Sequence, residues 1–236
     1  IHHAIDSGIY TQMQRQVKRV PALQVRLKNE LKYILEAQYW EPALHLLDQL
    51  GALQCIYSDL AMTAQLWHQL RRMSRWLQRF AWQHQCPPWQ MRLEILLATI
   101  PDPQRGDIAA ALQLTEGSIQ RLRGLEALEH RWLRQLTPEL PVSHIYQQLS
   151  QADTPTLLLV SARHPRPLGQ LIWRYLTQWS QVTPLIDGHH LKTLGYKPGP
   201  QFRPMLEGVL AAQLDGRIQT MAEAEAWLAE HFPPFA

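Results

Sequence analysis

Leu66, Leu70, Met73, Leu77 and Phe80 recur at three- and four-residue steps between polar neighbours, the spacing that lines one face of an α-helix. Similar spacing runs along nearly the whole chain. Leu23, Leu27, Leu31 and Ile34-Leu35 predict a helix opened by Pro21 and reaching about Ala37. Pro42 to Gly51 reads as a short helix with a glycine stop. Ser58 is placed to cap a long helix from Asp59 to about Gln83. Trp89 to Ile100 is a compact apolar helix. Further helices are expected at Asp107–Leu112, Thr115–Leu136, Val142–Gln151, Thr156–Ala162, Leu168–Val182, Pro200–Leu214 and Thr220–His231. His2 to Gln12 reads as the end of a helix loosened at Gly8, followed by a basic linker of Arg15, Lys18 and Arg19. Proline and glycine separate these segments, and Thr137 to Pro141 makes a linker and a domain boundary. No segment alternates polar and apolar residues over a strand length, so the fold class expected is all-α, a multi-helix arrangement with no sheet.

The chain has 236 residues, 46% of them hydrophobic, enough for one large domain or two or three small ones. Two cysteines, Cys55 and Cys86, without a CxxC pair, offer neither a zinc site nor a disulfide framework and suit a reducing cytoplasm. No run approaches the ~18 apolar residues of a membrane span. The first residue is Ile1, already in helical rhythm, which fits a piece of a longer protein.

Net charge is only +3, but it is unevenly spread. Six basic residues and one acid lie between Arg163 and Arg203, and five arginines and no acid lie between Arg71 and Arg92. His68, Arg72, Arg75 and Arg79 share one face of the long helix, with Arg71 beside them and Trp67, Trp76 and Trp82 interleaved. No acid stands four residues away to neutralise them. A positive ridge against a sugar-phosphate backbone and a plain solvated face are both open at this point. Arg121, Arg123, Arg131 and Arg134 mix with Glu126 and Glu129, and are read as ordinary exposed surface.

The stretch from Asp187 to Pro200 carries the most information. It predicts a short helix, a left-handed stop at Gly195, and a turn fixed by Pro198 and Pro200. The helix that follows has no acid in its first turn. Its free N–H groups and positive dipole end, with Lys192, Lys197 and Arg203 around them, could hold a phosphate. A helix-turn-helix corner with solvated lysines is the plainer alternative.

Gly188, Leu191, Leu194-Gly195, Lys197-Pro198-Gly199-Pro200, Leu206, Leu210 and Leu214-Asp215-Gly216 resemble the tail of bacterial class II tRNA nucleotidyltransferases and poly(A) polymerases. Arg26, Glu30, Leu31, Leu44, Leu46, Leu47, Leu50, Gly51 and Leu53 resemble the neck of the same family, in the family's order. Two positions depart from it: His190 stands where the family usually has Asp, and Val25 where it usually has Glu. The resemblance implies neck helices over residues 1–57, a helical body over 58–140 and a helical tail over 141–236. It implies that the neck braces a catalytic head, the body follows the acceptor stem, and the tail reaches the tRNA elbow. The candidate RNA-binding residues are Lys192, Lys197, Gly199, Arg203, Arg72, Arg75, Arg79, Arg163 and Arg166, with Arg26 and Glu30 structural in the neck.

Nucleotide addition needs paired carboxylates to hold metal ions at a triphosphate. This chain has no Gly-Gly turn, no D-x-D and no E-D-x-x-R motif, so no catalytic residue is assigned. His2-His3 and His189-His190 are adjacent pairs that cannot both face one metal on a regular helix, and no metal site is expected. Mg2+ and ATP or CTP are expected only at an N-terminal catalytic head outside this chain. The expected partners are tRNA or other RNA and that head; the reading admits a homodimer and involves no membrane. A helical protein-interaction module that kept the fold without binding RNA is the alternative.

Overall fold

The computed structural model describes residues 24–80 and 87–233. The expected helix at His2–Gln12, the linker arginines and lysine, the Pro21 start, Leu23, Trp82, Cys86 and the side chain of Phe80 lie outside the described residues. Those described residues form twelve α-helices and no strand, in keeping with the all-α expectation. They are α1 (Gln24–Glu36), α2 (Trp40–Gln49), α3 (Ala64–Phe80), α4 (Pro88–Leu97), α5 (Gln104–Ala111), α6 (Glu116–Gln135), α7 (Val142–Leu149), α8 (Thr154–Arg163), α9 (Leu168–Thr177), α10 (Gly188–Thr193), α11 (Phe202–Leu214) and α12 (Met221–His231). Short 3-10 turns at Ala52–Cys55 and Trp179–Gln181 join their neighbours.

Two compact units result. The first holds the described residues up to Trp132 together with Thr154–His164; the second holds Leu133–Asp153 and the described residues from Pro165 onward. In the first, α4 is the central helix, packed by α1, α3, α5 and α8. Its residues Met91 to Leu97 are buried without a break: five are apolar, and the two charged ones, Arg92 and Glu94, are buried only because neighbouring helices supply them with hydrogen-bond partners. α3 lies against α4 and α8 through Leu66, Leu70, Met73 and Leu77, the stripe that its sequence spacing predicts. In the second unit α7 packs on α9 and α11, and α11 on α10 and α12. Ile186, Leu191, Met205, Val209, Ala212, Ile218, Ala224 and Leu228 form its core.

Several boundaries differ from the sequence expectation for local reasons. α3 begins at Ala64, not Asp59, and Thr63 rather than Ser58 accepts from the N–H of Leu66 at 3.1 Å. The segment before it is held in turns: Leu60 donates to the Tyr57 carbonyl, and Met62 donates to Asp48 Oδ1 at 3.1 Å. α5 begins earlier, at Gln104, with the buried Arg105 in its first turn. α9 stops at Thr177 instead of running to Val182. The Thr177 hydroxyl donates to the Trp173 carbonyl at 2.7 Å, a side-chain bond that competes with helix continuation. α11 begins at Phe202, two residues after Pro200.

Candidate nucleic-acid interface

The helix-turn-helix that carries the tail motif is built by two glycine-stopped helices. Asp187 caps α10, its Oδ1 accepting from the His190 N–H at 2.8 Å. That bond holds the Asp187 carboxyl below its ordinary value, with lesser help from the His189 amide and the two imidazoles. At the far end Gly195 has φ +90°, where Tyr196 N–H donates to Leu191 O and Gly195 N–H to Lys192 O. This is the double bond pattern of a left-handed cap. Gly216 has φ +73° and repeats it after α11, with Arg217 N–H on Ala212 O and Gly216 N–H on Gln213 O. Tyr196 then anchors the turn, donating its hydroxyl to the Phe232 carbonyl at 2.9 Å.

Lys192, Lys197 and Gly199 are exposed along this turn, and Arg203 follows on α11. The start of α11 is more occupied than its sequence suggests. Phe202 N–H donates to Gly199 O, Met205 N–H donates to Gln201 O, and Pro204 has no N–H. Among the described residues, the Arg203 amide alone is left without a partner in that turn. The Arg203 guanidinium is 86% exposed and donates from Nε to Glu207 Oε1 at 2.7 Å, which raises its pKa. His190 links α10 to α12, its Nε2 lying 2.8 Å from Glu225 Oε1.

Asp215, from the Leu-Asp-Gly end of α11, was legible in the motif but not in its role. Its two oxygens accept from the backbone N–H and the hydroxyl of Ser143, both at 2.9 Å, so it caps α7 from another helix. Burial works to raise this carboxyl, but Ser143 and Arg217 outweigh it and hold it below its ordinary value.

In the first unit the arginines divide. Arg75 and Arg79 are exposed on α3, as is Arg71, which pairs with Glu41 of α2. Arg72 turns inward and donates to the Ala162 carbonyl in the last turn of α8, where burial first and Arg75 second lower its pKa. Arg163 donates to Ala98 O at the end of α4, at 3.0 Å, and to both oxygens of Glu129, at 2.6 and 3.3 Å. Arg92 donates to Leu35 O in the last turn of α1 and to Ser74 Oγ, lies 4.8 Å from the Trp40 ring centre, and is pushed down by burial to about 10. Guanidinium groups therefore occupy the negative ends of three helices. Arg166, in the second unit, is exposed, as are Arg26 and Glu30 on α1. The two units place the candidate residues in separate groups: Lys192, Lys197, Gly199 and Arg203 on one helix-turn-helix, and Arg72, Arg75 and Arg79 on α3.

The expectation that the acids and arginines of α6 make ordinary exposed surface holds for Arg123, Glu126, Arg131 and Arg134 and is corrected for Arg121 and Glu129. Glu129 is buried against Arg163, with His164 Nε2 at 3.1 Å, and Arg121 forks onto the fully buried Glu94 of α4 at 2.8 and 3.3 Å. Burial pushes Glu129 up, but the adjoining His164 imidazole and the hydrogen-bonded Arg163 guanidinium prevail and leave it below its ordinary value. Glu129 also lines a cleft of about 590 Å³ with Gln69, Arg105, His130, Arg163 and His164. Its carboxylate is already engaged there. Among the described residues no three His, Cys, Asp or Glu side chains converge to hold a metal. No helix of the described residues is long and apolar enough to cross a membrane.

The fold and its tail and neck motifs define a helical region similar to the C-terminal region of class II tRNA nucleotidyltransferases. Two relatives are named A-adding tRNA nucleotidyltransferases. The chain is 26% identical over 205 residues to an A-adding tRNA nucleotidyltransferase of Geobacter sulfurreducens, covering 83% of this chain and 23% of that protein. It is 29% identical over 111 residues to an A-adding tRNA nucleotidyltransferase of Halalkalibacterium halodurans, covering 47% of this chain and 26% of that one. A CCA-adding enzyme in complex with CTP matches 98% of this chain with a TM-score of 0.71, at 18% identity and over 56% of its own length. A Thermotoga maritima CCA-adding enzyme complexed with tRNA matches 94% of it with a TM-score of 0.70, at 19% identity and over 54% of its length. No family model matches the chain. The chain thus spans about a quarter of the curated relatives and a little over half of the solved chains.

Proposed function

We propose that this chain is the RNA-holding part of a tRNA nucleotidyltransferase or poly(A) polymerase-like protein. It positions an RNA 3′ end for nucleotide addition by a catalytic head whose motifs these residues do not contain. The observation that carries the reading is the fold: it follows, over 94% of its length, that of a CCA-adding enzyme found with tRNA. The division of labour follows the neck, body and tail segments. Residues 1–57 brace the head, 58–140 follow the acceptor stem and 141–236 grip the elbow. Mg2+ and ATP or CTP belong to the head. Lys192, Lys197, Gly199 and Arg203 supply the tail's contacts, and the exposed Arg75, Arg79 and Arg166 supply backbone contacts elsewhere. Arg72 and Arg163 contribute through the helix ends they hold. Recognition is by RNA shape and backbone, not by sequence.

The test is binding of the chain to an unmodified tRNA transcript across a salt series, beside Lys197→Glu/Arg203→Glu. Affinity that falls with salt and drops further in the double variant is the expected result. A correctly folded chain that binds no tRNA at low salt would sink the reading and leave a protein partner as the function of the fold.

A further inference from the structure

The second unit holds a groove of about 380 Å³ between α7 and α11. One wall is the stripe His144, Gln147 and Gln151, at three- and four-residue steps on α7 and just past its end, all three exposed. The other wall is Arg203 and Glu207, with Leu210 and Leu214 continuing the same face of α11. We infer that this groove reads ribose hydroxyls of RNA, with Gln147 and Gln151 as the 2′-OH partners and Arg203 as the neighbouring phosphate contact. This rests on the tRNA-holding function proposed above and deepens it.

Charge decides the ligand. Arg203 and Glu207 cancel, so the groove has no surplus cation to follow a run of phosphates. What it offers is uncharged donors and acceptors above an apolar floor. A carboxamide both donates and accepts, and so does a 2′-hydroxyl. The shallow minor groove of an A-form helix presents a row of such hydroxyls beside its phosphates. Arg203 gives Nε to Glu207, at 2.7 Å, and its guanidinium is 86% exposed, which leaves the terminal nitrogens available to donate to a phosphate at the groove's edge. Ser143, deeper in, is held by Asp215, which fixes α7 as a wall.

The experiment compares the full chain with Gln147→Ala/Gln151→Ala, each titrated with a tRNA transcript and with an all-2′-deoxy molecule of the same sequence. The wild type should prefer the ribose form. The double variant should lose about tenfold in affinity for RNA, the loss of two hydrogen bonds, while its binding to the deoxy form stays unchanged. Gln147→Glu, which adds a charge beside phosphates, should weaken both. Wild-type binding that ignores the sugar, or a double variant that keeps the full ribose preference, overturns the groove assignment and leaves the electrostatic grip intact. The latter is also the result expected if a peptide occupies the groove. No binding of the wild type to either molecule overturns both readings. Melting temperatures equal to wild type show that the variants are folded.

Discussion

Arg163 and Glu129 lie 34 residues apart in the chain and meet in a forked ion pair whose side chains are 17% and 7% exposed. Glu129→Ala leaves a largely buried guanidinium with only the Ala98 carbonyl, and should cost about 3 kcal/mol in urea unfolding. Glu129→Gln keeps an acceptor and should cost less. The carboxyl's folded-state pKa is below its unfolded value, so the stability it contributes is complete above its ordinary value of 4.5 and is lost as the pH falls through the folded value. Acid unfolding followed by circular dichroism should therefore be less steep below that pH in Glu129→Gln than in the wild type. A wild-type slope in Glu129→Gln would mean that the carboxylate is not what acid removes. None of this shows in the composition of α6, where Glu129 sits among arginines that read as surface. Its partner comes from α8, and an ion pair across 34 residues leaves no periodic signal.

At the scale of elements, the helices were legible and the caps decided where legibility stopped. The leucine stripe of α3 appears as its spacing predicts, and α4 is buried through Met91, Leu93, Ile95, Leu96 and Leu97, while the burial of Arg92 and Glu94 between them leaves no periodic signal. Gly195 takes the left-handed stop that the motif implies. The start of α3 was misplaced because Ser58 and Thr63 are both good caps. The choice between them is made by the Met62–Asp48 bond, a contact over 14 residues. Gly195→Ala and Gly216→Ala put a Cβ at positive φ, where about 1 kcal/mol or more is lost at each site. Thermal melts should place both below wild type. Gly208→Ala should be worse for another reason: its Cβ would lie 2.7 Å from the Trp227 ring, which packs against the core between α11 and α12 and would have to shift. Asp215→Ala should cost about 1–2 kcal/mol by uncapping α7, with Asp215→Asn retaining part of it. The Leu-Asp-Gly end of α11 is thus a joint between two helices as well as a stop.

For the whole molecule, a net charge of +3 is too small to supply the proposed RNA binding by general attraction, which would have to come from the disposition of the basic groups. They fall into two populations that the sequence could not separate. A guanidinium bonded to a backbone carbonyl has no sequence partner to reveal it, and Arg72 and Arg75 look alike in the helical pattern. The structure sends Arg72 to the end of α8 and leaves Arg75 exposed. This separates stability from binding in a way that can be measured. Arg75→Ala/Arg79→Ala should leave the melting temperature close to wild type, since exposed substitutions usually shift stability by about 0.5 kcal/mol or less. The same variant should reduce the slope of log K against log salt by about 0.7–0.9 for each phosphate contact removed. Arg72→Ala should do the reverse, lowering the melting temperature while the folded protein keeps the wild-type slope. If Arg72→Ala instead flattens the salt dependence at unchanged stability, the inward arginine is an RNA contact. In that case the α8 end would be part of the binding surface and not its support.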